Sequence, residues 1–394
     1  MAEKRDDPSW FDLSNRERLV CQLVADRHPT NVDPREVSRL VRDPGSFQFC
    51  QDNEIVPHVY HAIHEYFPKV DIPEPWQRVH EETRYRLEAY LAEAERVASL
   101  LDSQSIRVIA LKNVGIAHGI HDCLGCSPMG DIDLLVERRC FRRAHELLLE
   151  QGYVFKFRSP LEDEDPDHAE ASGGGEYRTQ LDDGQPLWLE LQWRPVAGRW
   201  IRPDQEPTAE ELFDNATEIG ESKLKILSPE DNLLQVSLHT AKHSYVRAPG
   251  FRLHTDVDRI VTRQRVDWAK FIQRVTALQV KTAAFWSLSI PAQVFQTPIP
   301  EEVLDQLRPP AWKRGVVRMF FRKAHLFDPN KRKFSRLGFI GFTAFLYDDM
   351  RGLWRGMFPS RSWMRQRYGK CGLVRLASLY LIRLWELTTG RLQT

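Results

Sequence analysis

Two aspartates at alternating positions are the residues of this chain best suited to chemistry. Residues 129–136 read MGDIDLLV, a pattern typical of a buried β-strand. Alternate side chains of a strand share a face, so we expect Asp131 and Asp133 on one side, about 6.5–7 Å apart along the chain. Adjacent carboxylates raise each other's pKa unless a cation lies between them, and Mg²⁺ is the ion that such oxygen ligands hold together with substrate phosphates. The alternative is a solvent-exposed strand edge that carries two aspartates.

A third carboxylate lies in a second apolar run. Residues 187–193 read LWLELQW and predict a strand in which Glu190 shares a face with Trp188 and Gln192. A lone carboxylate buried between two leucines would be costly. If this strand lies beside the first, three carboxylates meet, and such a group can hold two metal ions about 4 Å apart for phosphoryl transfer. Alternatively, Glu190 faces solvent on a half-exposed sheet.

Helices are expected on both sides of the strands that carry these carboxylates. Apolar residues at three- and four-residue spacing predict helices from residue 10 to about 100, and again from 206 onward. Between them, short β-branched runs at 106–111 and 131–136 predict strands. The acidic, glycine-rich stretch from Glu162 to Gly175 predicts a mobile hairpin loop. This order indicates an α+β fold with a compact strand–helix unit between helical regions.

The runs ALKN (110–113), PMGDIDLLV (128–136) and ELQWR (190–194) resemble the bacterial "uncharacterised nucleotidyltransferase" family of the DNA polymerase β-like nucleotidyltransferase superfamily. The similarity extends over nearly the whole chain, including LHTAKHS at 238–244. It implies a small mixed sheet, two Mg²⁺ ions and transfer of a nucleoside monophosphate from an NTP. The metal carboxylates and catalytic residues would be Asp131, Asp133 and Glu190, with Glu190 helping to deprotonate the acceptor.

The resemblance also implies which residues contact the nucleotide: Lys112, Asn113, Ser127, Gly130, His239 and His243. Lys112 would neutralise phosphate charge. The chain departs from the family at two of these positions. The family usually has glycine where Asn113 stands, so this side chain would either crowd the triphosphate or donate its amide to it. The family usually has arginine where Ser127 stands, and the absence of this arginine removes a phosphate contact. These departures motivate a second hypothesis, a catalytically weak relative that binds a nucleotide or a partner protein.

Two histidine-containing groups are candidates for metal binding or catalysis. His118, His121, Cys123 and Cys126 offer four zinc ligands within nine residues, which is too tight a spacing for tetrahedral closure, so we predict reduced loop residues and no stoichiometric zinc. His239 and His243 share a helix face, but the glutamate of a His-Glu-x-x-His metalloprotease is missing. They either face the cleft beside Lys242 and contact phosphate, or they pack as half-buried imidazoles.

The net charge of zero conceals a strong asymmetry. Residues 312–394 contain 18 Lys and Arg against four Asp and Glu, so they carry +14 and the remainder carries −14. A basic segment with interleaved aromatics could bind single-stranded nucleic acid or an anionic membrane surface. We favour docking of the segment onto the acidic remainder, with no stable nucleic-acid complex.

The composition excludes other classes of protein. With 42% hydrophobic and 28% charged residues the chain is neither disordered nor fibrous. The longest apolar stretch, Leu337 to Tyr347, is too short to span a membrane. The first residues lack the apolar core of a secretory signal, and six cysteines in so long a chain predict reduced thiols and a cytoplasmic location.

Together these observations predict an Mg²⁺- or Mn²⁺-dependent nucleotidyltransferase. ATP is the expected donor, and the acceptor is an unidentified small molecule, peptide or glycan hydroxyl. The expected divisions are an N-terminal helical region (1–103), a nucleotidyltransferase core (104–205), a helical domain that closes the cleft (206–311) and a basic helical segment (312–394).

Overall fold

The computed structural model describes residues 11–121, 123–158, 164–181, 183–197, 201–329, 331–361, 364 and 373–389. Five helices precede the sheet: α1 (Asn15–Val24), α2 (Pro34–Arg42), α3 (Pro44–Asp52), α4 (Val56–Tyr66) and α5 (Glu74–Asp102). Ser14 and Glu17 form a capping box that fixes the start of α1. The 29-residue α5 has no glycine and has proline only at its first turn, so nothing interrupts it.

Seven strands form one mixed sheet. They are β1 (Val108–Ala110), β2 (Ile132–Leu135), β3 (Val154–Phe155), β4 (Gly174–Gln180), β5 (Pro186–Gln192), β6 (Thr217–Glu218) and β7 (Leu224–Ile226). Their spatial order is β3-β4-β5-β2-β1-β7-β6. The β2–β5 and β1–β7 pairs are parallel and the other four are antiparallel. The central strands are therefore contributed by segments far apart in the chain.

Four helices lie between the strands along the chain: α6 (Lys112–Gly119), α7 (Phe141–Glu150), α8 (Pro166–Ser172) and α9 (Ala209–Asn215). The α8 helix contradicts the predicted hairpin loop from Glu162 to Gly175, which is wrong over these residues. Asp165 caps the helix, Pro166 begins it, and Gly173 ends it with a φ of 117° that favours glycine. Local capping thus outweighs the low apolar content on which the loop prediction depended.

Among the described residues, nine helices follow the last strand. They are α10 (Pro229–Lys242), α11 (Arg252–Arg263), α12 (Trp268–Ala277), α13 (Lys281–Val294), α14 (Glu301–Leu307), α15 (Ala311–Ala324), α16 (Arg336–Ala344), α17 (Met350–Met357) and α18 (Leu373–Thr389). With the sheet and the preceding helices they confirm the α+β class and the helical regions on both sides of a mixed sheet.

Two large hydrophobic clusters organise most of these elements. One joins the N-terminal helices to the helices after the sheet, with Val59, Trp76, Trp286 and Phe321 among its buried members. The other packs α5 and α7 against the sheet. The helices before and after the sheet therefore share a core, and the division of the chain at residues 103, 205 and 311 stays a prediction.

Part of the basic segment packs on the rest of the chain through apolar side chains and hydrogen bonds to backbone. Phe321 and Phe342 lie in the same buried cluster as Tyr245. Asp348 accepts hydrogen bonds from the N–H groups of Lys281 and Thr282 at the start of α13, at 2.9 and 2.7 Å. In the described part of the chain, no helix has the length and apolar character needed to cross a membrane.

Candidate active site

The sheet gathers three carboxylates at one place. The parallel register of β2 and β5 places Asp133 beside Glu190, and Asp131 comes immediately before β2. Carboxylate oxygens of these three residues all lie within 4.8 Å of one another. The neighbouring side chains of β2 and β5 that point the other way, such as Leu134 and Leu191, are fully buried in the core under the sheet. We call Asp131, Asp133 and Glu190 the carboxylate centre.

A buried lysine lies among the carboxylates. Lys112 begins α6 directly after β1 and adopts a φ of 51°, a left-handed conformation that is costly for a residue other than glycine. Its ammonium lies 2.6 Å from Asp133 Oδ1 and 3.3 Å from Glu190 Oε2, and its side chain is only 11% exposed. Gln192 Nε2 also donates to Asp133 Oδ1, at 3.0 Å. The predicted phosphate-binding lysine thus neutralises the carboxylates directly.

An arginine holds the remaining aspartate. The guanidinium of Arg158 lies 2.6 Å from Asp131 Oδ2 and also pairs with Glu176, which β4 places beside Glu190. The guanidinium lies 5.7 Å from the centre of the Trp188 ring, on the same face of the sheet. Three clustered carboxylates need cations nearby, and Lys112 and Arg158 supply them.

The two central carboxyl groups ionise differently. Burial, opposed by Lys112, raises the pKa of Asp133 well above its usual range, and the neighbouring carboxylates raise it further. Burial acts in the same direction on Glu190, but the Lys112 ammonium, a hydrogen bond from Asp133 and the charges of Lys242 and Arg158 together lower its pKa to about 2. The buried environment therefore shifts the pKa values of these two neighbouring carboxyl groups in opposite directions.

The predicted histidines lie near these charges. Their rings, those of His239 and His243, are 4.8 Å apart at the end of α10, and His243 Nδ1 lies 2.6 Å from the carbonyl of Ala248. Burial lowers the pKa of both, that of His243 to about 3, with Lys112 and Lys242 acting in the same direction. Both imidazoles are therefore neutral at physiological pH.

Two of the other predicted nucleotide contacts, Asn113 and Ser127, are held by arginines of α11. The side-chain carbonyl of Asn113 accepts a hydrogen bond from Arg252 at 3.2 Å, and the hydroxyl of buried Ser127 accepts one from Arg259 at 3.3 Å. A cation thus lies beside Ser127 although the family arginine is missing there. Among the described residues, no atom beyond the two chain neighbours lies within 4 Å of where a Cβ of Gly130 would be, so the backbone before Asp131 is approachable.

The four possible zinc ligands that stand close together in the sequence, His118, His121, Cys123 and Cys126, do not assemble as one group. His118 bonds to Glu95 and Ser222, and His121 Nδ1 accepts a hydrogen bond from the backbone N–H of Cys123. Cys123 and Cys126 instead meet two histidines of the N-terminal helices, His61 and His80. We call His61, His80, Cys123 and Cys126 the histidine–cysteine cluster.

Sequence reasoning missed Arg158 and these two histidines. Arg158 follows a two-residue strand and has no motif around it. His61 does carry a faint signal, because α4 has histidines at positions 58, 61 and 64, which places them close to one face of the helix. Which elements lie beside these three residues is decided only by the packing of the folded chain.

The comparisons with known proteins agree with this geometry. Residues 45–296, more than half of the chain, match the family described as "Uncharacterised nucleotidyltransferase". The chain therefore belongs to this family, as the sequence motifs predict, and membership supports a nucleotidyltransferase activity in general, with an NTP as substrate and a divalent metal ion. No curated protein and no solved structure matches the chain.

Proposed function

We propose that this protein transfers a nucleoside monophosphate from an NTP, with ATP the expected donor, to an acceptor hydroxyl. Asp131, Asp133 and Glu190 would hold Mg²⁺ or Mn²⁺. The observation that carries the proposal is the convergence of these three carboxylates within 4.8 Å on one face of the sheet. Their all-oxygen donor set suits a hard divalent cation.

The reaction exchanges a phosphoanhydride bond of the NTP for a phosphoester bond to the acceptor. The acceptor oxygen forms a bond to the α-phosphorus, the bond from the α-phosphorus to the oxygen that bridges it to the β-phosphate breaks, and pyrophosphate leaves. The acceptor proton passes to a nearby carboxylate, for which Glu190 is suited because it is ionised at neutral pH. Metal ions held by Asp131, Asp133 and Glu190 would neutralise charge on the attacking and leaving oxygens.

The cations around the carboxylate centre would position the triphosphate. Lys112, Arg158 and Lys242 approach from three elements, and the first two are paired with the carboxylates themselves. With metal held by the carboxylates, Lys112 and Arg158 would be free to contact phosphate oxygens. His239, His243 and the backbone at Gly130 complete the proposed nucleotide contacts.

The same ion pairs support a second candidate, a relative that binds a nucleotide with little turnover. Metal must displace Lys112 from Asp133 and Arg158 from Asp131, both at 2.6 Å. If these pairs are too stable, nucleotide binds without productive metal coordination.

One set of assays separates the two. We expect pyrophosphate release and transfer of label when the protein is incubated with Mg²⁺, each α-labelled NTP and a panel of small-molecule, peptide and glycan acceptors. A thermal shift by Mg²⁺ and NTP without pyrophosphate release would favour the weak relative. Asp133→Asn should lose both signals and stay folded, whereas Asp183→Asn, at an exposed turn, should retain them. An unchanged shift in Asp133→Asn would contradict the assignment of the carboxylate centre.

The proposal also covers the class of acceptor and the cellular location of the protein. The acceptor stays a small-molecule, peptide or glycan hydroxyl, and a cytoplasmic location is proposed from the cysteine usage of the sequence.

A further inference from the structure

The histidine–cysteine cluster joins three elements that are distant in sequence. His61 comes from α4, His80 from α5, and Cys123 and Cys126 from a 3₁₀ turn between α6 and β2. Their ligand atoms all lie within 4.8 Å of one another, and Cys126 is almost fully buried. This is a closed group of two nitrogen and two sulfur donors.

The spacing fits a tetrahedral metal ion. Zinc–nitrogen and zinc–sulfur bonds of about 2.1 and 2.3 Å imply ligand-to-ligand distances of about 3.4–3.8 Å. His80 Nε2 lies 3.3 Å from Cys123 Sγ, and His61 also bonds to Cys123. These donor-to-donor distances are close to the edge length of such a tetrahedron.

The turn that carries the cysteines is shaped for close approach to His80. A Cβ at Gly125 would collide with the ring of His80, so only glycine allows the turn to lie against this imidazole. The two cysteines, at i and i+3, have the spacing of half of a zinc-binding motif. The other half is supplied by helices more than 40 residues upstream.

Donor chemistry selects the metal. Imidazole and thiolate are ligands for zinc and poor ligands for Mg²⁺. Two thiolates balance the charge of one Zn²⁺, so the loaded site would be neutral and cheap to bury beside Arg259, which donates to the carbonyl of Cys126 at 2.6 Å. Four protein ligands leave no open position, which is typical of a structural rather than a catalytic zinc.

We propose that His61, His80, Cys123 and Cys126 bind one structural Zn²⁺ that fixes the turn before the carboxylate centre to the N-terminal helices. Cys126 lies five residues before Asp131, and Arg259 holds the same turn through Cys126 and Ser127. The metal would therefore position Asp131 and Asp133 without contacting substrate. The zinc site does not depend on the proposed nucleotide chemistry.

The test is metal analysis of the full chain, expressed with zinc and purified without chelators. We expect about one zinc per chain, and less than about 0.2 in Cys123→Ser and His80→Ala. Co²⁺ exchanged for zinc should give the visible and charge-transfer absorption of a tetrahedral site with thiolate ligands. Matched controls on neighbouring elements, His64→Ala at an exposed position of α4 and Cys140→Ser, should keep the metal. Asp133→Asn should also keep it, which separates this site from the carboxylate centre.

The zinc proposal can still be tested if one of these variants fails to fold. His80→Cys retains a ligand at the same position and should still bind zinc, and the wild-type protein reports on its own through metal content and Co²⁺ absorption. Absence of zinc and of Co²⁺ binding in the wild type, retention of zinc in Cys123→Ser, or a disulfide between Cys123 and Cys126 in the purified protein would each overturn the proposal.

Discussion

Residues 123–133 contribute ligands to both the carboxylate centre and the histidine–cysteine cluster, but the two groups differ in their elements and in their donor atoms. The carboxylate centre lies on two adjacent strands and contains only oxygen donors, with Lys112 and Arg158 already paired to them. The histidine–cysteine cluster lies between helices and a turn, with nitrogen and sulfur donors that bond to one another. The first suits a metal ion that is exchanged with substrate, and the second an ion that stays.

The difference lies in how each group is stabilised without metal. Three carboxylates repel one another, so the protein supplies its own cations, Lys112 and Arg158. In the histidine–cysteine cluster a hydrogen bond from Cys126, with further bonds to His61 and His80, outweighs burial and lowers the pKa of the Cys123 thiol, and the bond to Cys123 raises the pKa of His61. The donors of this cluster thus stabilise one another, and metal binding would then strengthen the fold directly. Perturbing each region in turn should therefore affect activity and stability in different proportions.

The largest effect is expected from Lys112→Met. Loss of the ammonium leaves the buried carboxylates unpaired, so metal-free stability should fall by about 3–5 kcal/mol and activity by about 10²–10³-fold. Mg²⁺ should recover part of the lost stability, because it replaces the missing charge. Urea unfolding with and without Mg²⁺ measures this. Lys225→Met, which loses only a surface pair with Glu218, is the control, and equal Mg²⁺ effects in the two variants would contradict the comparison.

Selective chelation should separate the two regions. Removal of Mg²⁺ should reduce nucleotidyl transfer to background and change the Tm little, because Lys112 and Arg158 keep the carboxylates paired. Extraction of zinc with a stronger chelator should lower the Tm by about 5–10 °C. The measurements are pyrophosphate release and scanning calorimetry. A large change in Tm when only Mg²⁺ is removed would contradict the assignment of the structural role to the histidine–cysteine cluster.

Acid should weaken the helix that serves both regions. His254 of α11 is fully buried, with Nε2 2.8 Å from the carbonyl oxygen of Tyr245, and burial lowers its pKa to about 4. Between pH 6.5 and 4 the unfolded chain binds more protons at this residue, so stability is lost as the pH falls. The loss should reach about 2–3 kcal/mol at pH 4.5.

His254→Gln should remove that part of the pH dependence, and His64→Gln, at an exposed position of α4, should not. Urea unfolding at pH 7 and 4.5 compares them. Because α11 also supplies Arg252 and Arg259 to the two regions, zinc content and NTP-dependent thermal shift should decline together on acidification. An identical pH dependence in His254→Gln and the wild type would exclude this histidine as the cause.

The smallest effect is expected from Asn113→Gly, which restores the residue usual in the family. The variant loses the hydrogen bond from Arg252, so stability should fall by about 1 kcal/mol. The KM for NTP should change by less than about twofold, because Arg252 already holds this side chain by its carbonyl. A much lower KM would show that Asn113 crowds the triphosphate.

Much of the carboxylate centre is predictable from sequence because its information is local. The alternation of Asp131 and Asp133 with apolar residues places both on one face of a strand, and the apolar residues around Glu190 do the same for a second strand. The helical regions follow from apolar spacing in the same way. The Glu162–Gly175 loop prediction is wrong at α8 because the capping by Asp165 and the start at Pro166 outweigh the acidic, glycine-rich composition.

Only the tertiary structure decides which of these local features meet. The β2–β5 pairing that brings Asp133 beside Glu190 joins segments more than 50 residues apart, and no local pattern specifies it. The cluster shows this most clearly, since the sequence offers Cys123 and Cys126 with His118 and His121, whereas packing of α4, α5 and the 3₁₀ turn brings them to His61 and His80. Ligand identity depends on side-chain type, which is written in the sequence. Ligand geometry depends on burial of helix faces far along the chain, so it exists only once the chain has folded.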